Sequence, residues 1–378
     1  MRNSSSSPRV AVVGGGVLGV STAAQLARRG AQVVLVTAAE LADGASGRSL
    51  SWLNSFGGAG LRSQAYHELR LLGMDRYRTF AHRDPSSSAY LTFDGGLTWA
   101  APDAPESHRS AFDHMRRCGY DARWLTRDEV ADWTPGVDPA AIPDDGAIFN
   151  PGEGWVDLDA LVARLAADFT AAGGSVVTGA GAASVVVEGG RATAVRTESG
   201  RRIDVDSVLL ATGAAVPRMV EEYGVRIPDA TPVALLVRTP PVDTALRAVL
   251  NTPRVAVRPA PDGSLVMDSD ASAEEVIVHP DGTYQVKDAT VEQLLHEASA
   301  VLEGNPRLTA ASYGVGPKPI PGDGEPVLGA VEEVAGLHVA FTHSGATLAL
   351  IAGELLAEEI VTGESSTLLA AFSPARFR

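Results

Sequence analysis

Val10-Ala11-Val12-Val13-Gly14-Gly15-Gly16-Val17-Leu18-Gly19 decides the fold: an apolar run, a glycine turn, then a helical pattern from Ser21 to Arg29 that closes at Gly30. That context is what a G-x-G-x-x-G needs before it counts as a dinucleotide fingerprint. Gly14 allows the tight turn, Gly16 lets backbone approach a pyrophosphate, and Gly19 lets helix pack against strand. The helix N-terminus offers free N–H groups and partial positive charge to phosphate. Gln32-Val33-Val34-Leu35-Val36 completes a βαβ unit. An acidic residue is expected about 20 residues after the glycines, for a ribose hydroxyl; the chain instead has Thr37, with Glu40 following. No Arg lies there to hold a 2′-phosphate, which disfavours NADP.

The 378 residues are 45% hydrophobic and 20% charged, with a formal net charge of −15. The length suggests two domains. The negative charge argues against nucleic acid or an anionic membrane as partner and leaves a small cationic or zwitterionic substrate open. One cysteine, Cys118, rules out an internal disulfide framework and a cysteine-based zinc site; no metal site is expected. No apolar stretch approaches spanning length. The start, Met1 to Pro8, lacks the apolar core of a signal peptide. Residues 1–7 read as a disordered tail and the protein as cytoplasmic.

Further along, helical spacing covers Gln64 to His82 and Ser107 to Cys118. Thr126 with Glu129 marks a capped short helix, and Asp157 opens a long helix to about Ala172. Short strands with hairpin turns follow through Ala183–Val187, Ala192–Thr197 and Arg202–Val205. Ser207-Val208-Leu209-Leu210-Ala211 reads as a buried parallel strand ending at Thr212-Gly213. After β-like segments over 228–281 and a helix from Thr290 to Leu302, a Pro/Gly loop spans 314–329, then come the strand Leu337–Phe341 and a helix from Ala346 to Thr362. Nucleotide-type segments lie at the beginning, middle and end, so the domains interleave.

With these motifs in this order, nearly the whole chain resembles the flavin-dependent D-amino acid oxidase superfamily, near glycine oxidase, sarcosine oxidase and D-amino acid dehydrogenase. The motifs are Gly14 to Gly19, Pro151-Gly152-Glu153-Gly154-Trp155-Val156-Asp157, Leu209 to Ala214, and Pro321 to Gly329 with Thr342 to Leu348. The resemblance implies an α/β fold in which a Rossmann-like FAD-binding domain (8–85, 151–224 and 311–378) interleaves with a substrate domain (86–150 and 225–310) of mostly antiparallel sheet plus helices. It implies FAD held by Gly14, Gly16, Val17, Leu18 and Gly19 at the pyrophosphate, by Thr37 at the ribose and by the Ala182 backbone at the adenine. Ser46, Arg48, Ser49 and Leu50 would run beside the isoalloxazine, and Ala211, Thr212 and Gly213 would close the adenosine side. His343, Gly345, Ala346 and Thr347 would face the pyrimidine end, where helix N–H groups stabilise the charge of reduced flavin. Attachment is expected to be non-covalent, since no His lies within 45–54 and Cys118 reads as a small buried hydrophobe.

Three positions depart from the family pattern. Gly316 stands where the relatives' carboxylate-binding Arg would be, Thr347 where sarcosine-type enzymes carry Lys, and Val266 where they carry the oxygen-activating Lys. The substrate carboxylate is therefore read by Lys318 as a point charge, by Arg62, or by Arg258 from the substrate domain, or it is absent because the substrate is a larger amine or a carrier-bound amino acid. The expected reaction is hydride loss from the carbon beside an amine nitrogen, giving an imine. No catalytic acid or base is assigned, because an amine that binds neutral needs none. A same-fold enzyme of 2-hydroxy acids, a NAD-dependent dehydrogenase and a non-catalytic nucleotide-binding module are the alternatives.

Overall fold

The computed structural model describes residues 7–56, 62–101 and 105–378. All but Ser7 of the expected N-terminal tail lies outside them. A six-stranded sheet runs in the order Val327–Ala330, Leu337–Phe341, Ser207–Leu210, Arg9–Val13, Gln32–Val36, Ser175–Val177. Its pairings are parallel except for the antiparallel edge pair of Val327–Ala330 with Leu337–Phe341. Both faces are covered, so its central strands are apolar throughout. On the first strand, Val10 and Val12 face the helices Val17–Arg28, Leu158–Ala171 and Gly345–Thr362, while Ala11 and Val13 face a three-stranded meander over 183–204. The parallel strand expected at 207–211 is Ser207–Leu210.

The helices Val17–Arg28 and Gly345–Thr362 approach closely because Gly353 faces Ser21: a Cβ added at Gly353 would lie 2.9 Å from the Ser21 carbonyl carbon. Gly353→Val is expected to destabilise by about 1–3 kcal/mol through overpacking, seen as a lower denaturation midpoint. An unchanged midpoint would mean that the two helices separate at no cost.

An eight-stranded, mostly antiparallel sheet runs in the order Ser312–Pro317, Val233–Arg238, Leu265–Asp268, Ala256–Pro259, Val249–Asn251, Gly96–Thr98, Ala147–Asn150, Arg123–Leu125. Period-2 alternation sends Leu235, Val237, Val257, Leu265 and Met267 into a core with Leu294, Leu295 and Ala298 of the helix Asp288–Ala300. The alternate positions, among them Ala234, Leu236, Ala256, Arg258, Val266 and Asp268, face cavities.

The loop expected over 314–329 is corrected at both ends, its last residues belonging to the edge strand Val327–Ala330. Gly314 and Gly316 belong to the strand Ser312–Pro317, paired along its length with Val233–Arg238. Glycine weakens a strand unless another group comes close, and here the Arg48 side chain does: a Cβ at Gly314 would be 3.0 Å from its Cγ. The helix after Thr126 has the expected capping box with Glu129.

Candidate active site

Gly14 is left-handed, with φ +119°, and a Cβ there would overlap the carbonyl of Ala211. The Ala211 N–H in turn donates to Val13 O at 2.8 Å, so the opening turn and the end of the 207–210 strand are built against each other. Gly19 is equally constrained, lying against Gly14 O. Gly16, by contrast, meets only the Ser46 hydroxyl, which accepts a 3.0 Å bond from the Val17 N–H at the start of the helix. The turn therefore leaves open space just where a pyrophosphate needs backbone N–H groups. Thr37 is buried, and a Cβ at Gly15 would be 2.8 Å from its hydroxyl; Glu40 is exposed at the rim.

The Ala182 N–H is taken by the Glu198 carboxylate at 3.1 Å, which leaves its carbonyl for an adenine contact. The Thr212 hydroxyl points to Met219 S at 3.2 Å, and Gly213 is left-handed. Gly14, Gly16, Thr37, Ala182, Ala211, Thr212 and Gly213 line one cavity of about 990 Å³, and Gly19 stands behind it.

That cavity continues past Ser46, Arg48, Ser49 and Leu50 to the N-terminus of Gly345–Thr362. Arg48 folds back onto the carbonyls of Asp43 and Gly44. Ser51, at φ +57°, is locked by its N–H to Ser49 Oγ. The N-cap Ser344 makes no side-chain cap; its hydroxyl accepts from Tyr66 OH at 2.6 Å instead. The N–H groups of the helix's first turn are therefore free to meet a ligand. Thr347 is turned aside, donating to Trp52 O at 3.2 Å, which braces the short strand Trp52–Leu53 beside the cavity.

Beyond this lies a charged chamber. His343 is exposed to the cavity it lines, and the protein packs around that cavity. Burial first, then the charges of Lys318, Arg70 and Arg62, push its pKa down to about 3, so it is neutral at physiological pH. Arg62 and Lys318 line the same cavity and have no carboxylate within ion-pair distance among the described residues.

The structure places Arg258 elsewhere. Its guanidinium sits over the Trp155 ring at 5.0 Å, donates to Leu50 O and lines an adjoining cavity of about 300 Å³ with Asp157 and Asp159. Burial pulls its pKa down to about 10, so it remains a cation. Its strand position explains the separation, since Arg258 and Val266 pair across the sheet and sit beside Leu236 at that smaller cavity.

The sequence reading missed Arg70 and Asp268. Arg70 is buried on the helix Gln64–Arg83, donating to Asn54 O at 3.0 Å and to the Asn54 carboxamide. On a polar-looking helix nothing marks it off from a solvated arginine. Asp268 carries a signal that was there to read, an acid on the cavity face of an otherwise apolar strand. Cys118 is half-buried and lies 3.8 Å from His114 Nε2, away from the cavity. Among the described residues no cluster could hold a metal, and no helix is long and apolar enough to cross a membrane.

The residues present fit a flavin dinucleotide: a turn that a Cβ would block, open space at Gly16, and a second uncapped helix start along the same cavity. Residues 9–359 match the family described as FAD dependent oxidoreductase. The chain is 25% identical to the uncharacterized oxidoreductase YurR of Bacillus subtilis, over 96% of this chain and 98% of that one. It is also 25% identical to the glycine oxidase of Geobacillus kaustophilus, over 97% and 96%. The crystal structure of the Geobacillus enzyme has the same fold, with a TM-score of 0.83 and 22% identity over 98% of this chain and 99% of that one. The L-amino acid deaminase of Proteus myxofaciens, solved with anthranilate, gives 0.82 at 20% identity over 99% and 94%.

Proposed function

Because the chain belongs to the family of FAD-dependent oxidoreductases, we propose that it oxidises a C–N bond of a small amine or amino acid to the imine, which water hydrolyses. FAD, when bound, supplies the acceptor for the hydride that leaves the carbon next to nitrogen. The protein's share is position and charge. Gly14 and Gly19 shape the turn that holds the pyrophosphate at Gly16 and the Leu18 amide, with Ser46 on the Val17 N–H; Thr37 holds the ribose, and the first turn of Gly345–Thr362 the pyrimidine end, where its N–H groups oppose negative charge. Lys318 and Arg62 pair with a substrate anion, and neutral His343 offers one hydrogen bond without adding charge.

The observation that carries this reading is the continuity of one cavity from the glycine turn to a chamber with unpaired cations. Nothing among the described residues points to a carrier-bound substrate.

Anaerobic mixing of the yellow protein with panels of amines, amino acids and 2-hydroxy acids tests it. Bleaching of the visible flavin band by members of the first two panels is expected. Bleaching by 2-hydroxy acids alone would overturn the C–N assignment. For a substrate that carries a carboxylate, Lys318→Met is expected to raise KM about ten-fold or more, with kcat changed far less, as loss of one charged contact predicts. An unchanged KM would remove Lys318 from the binding set.

A further inference from the structure

The strand Leu265–Asp268 ends on a carboxylate that the scheme above leaves unused. Leu265 and Met267 are buried in the core of the eight-stranded sheet, so alternation turns Val266 and Asp268 to the opposite face. Asp268 lines the large cavity. None of its side-chain oxygens has a hydrogen-bond or ion-pair partner among the described residues, although a carboxylate can accept about four bonds. Burial pushes its carboxyl up and the charge of Lys318 pulls it back. Asp268 is half-buried and opens to the cavity, so its oxygens stand ready for a charged group that enters there.

What could arrive is limited by the register. Asp268 pairs with Leu236, whereas Lys318 lies beyond the Ala234–Gly316 and Val233–Pro317 pairs, its N–H on Pro232 O. Four residues of strand separate the two levels, roughly 13 Å along the strand direction. The two side chains form no ion pair, although the Lys318 charge is felt at Asp268, and their backbone levels on the sheet differ. The chamber thus offers an anion-binding end and a separate cation-binding end.

Resting on the proposed amine oxidation, we propose that Asp268 is the specificity-determining residue that binds a cationic nitrogen of the substrate, selecting an amine whose positive charge stands apart from any carboxylate, such as a diamine or a basic amino acid. Gly316 supports the same assignment, since it supplies no cationic side chain from the middle of the neighbouring strand to neutralise Asp268, and Asp270 adds a second negative charge on the same cavity.

The test uses the FAD-loaded protein and two probes of matched length and opposite charge, n-butylamine and butyrate, with binding read as perturbation of the flavin spectrum. Asp268→Asn is expected to weaken n-butylamine at least about ten-fold, the loss of one charged hydrogen bond, and to leave butyrate unchanged or tighter. Lys318→Met should do the reverse. If Asn is not accepted at this position, Asp268→Ser gives the same comparison.

Equal weakening of both probes would mark a steric effect and overturn the inference. So would n-butylamine binding that ignores the substitution, or its failure to bind the unmodified protein. Failure of the oxidation reading looks different: a protein that binds n-butylamine through Asp268 but is bleached by no amine loses the proposed reaction and keeps the cation-binding residue.

Discussion

Gly14→Val is expected to give a protein that retains no FAD. The residue has φ +119°, a conformation that costs a β-branched side chain about 1–3 kcal/mol by itself. The added atoms would also overlap the Ala211 carbonyl, which is backbone of the adjacent buried strand and cannot swing away. Relief requires the glycine turn to move off the 207–210 strand end, and the cradle for the pyrophosphate goes with it. The comparison variant is Gly30→Ala. Gly30 is also left-handed, at φ +83°, but an added Cβ meets nothing within 4 Å, so it carries the backbone strain without the overlap. FAD per chain, measured after reconstitution and desalting, should be near zero for Gly14→Val and unchanged for Gly30→Ala. Full occupancy in the Gly14 variant would mean that this turn does not form the cofactor site.

The second large effect concerns Glu153, fully buried behind the cavity wall. Its two oxygens accept from Tyr120 OH at 2.7 Å and from the Trp52 indole N–H at 2.9 Å, and burial raises its pKa to about 8 against an ordinary value of 4.5. Between those values the folded chain holds a proton that the unfolded chain has released. Its stabilising contribution is therefore complete below about pH 4.5 and is lost as pH rises through about 8.

Two histidines with lowered pKa act in the opposite sense. His338, lowered to about 4, and His343, lowered to about 3, cost stability as pH falls below 6.5. Above that value, of these three groups, only Glu153 sets a slope. The unmodified protein should lose about 2 kcal/mol of stability between pH 6.5 and 8, and Glu153→Gln should flatten that fall. Urea denaturation at several pH values checks it; parallel profiles for the two proteins would contradict the assignment. Glu153→Ala leaves both donors without an acceptor and should cost about 3 kcal/mol near pH 6.5, a cost that shrinks toward pH 8 as the unmodified protein loses its own stability.

The nucleotide half was legible because backbone demands are written directly in residue types. Gly14 and Gly19 exist for contacts that no other residue permits, and the apolar strands 9–13 and 207–210 announce burial on both faces. The chamber was harder to read because its residues are placed by register across distant segments. Arg258 and Asp268 occupy cavity-facing positions of neighbouring strands, yet they fall into different cavities because they sit at different levels of the sheet. Local pattern gives the face of a strand but not the level at which a partner crosses it. Gly314 and Gly316 looked like loop residues because the reason for them, the Arg48 side chain lying across their strand, comes from more than 260 positions away.

The central claim is that the turn at Gly14, the strand end at Ala211–Gly213 and the helix start at Gly345 converge on one FAD. Its most direct test is the flavin released when the purified, reconstituted protein is precipitated with acid. One equivalent of free FAD per chain in the supernatant is the expected result. A colourless protein that takes up no FAD would contradict it.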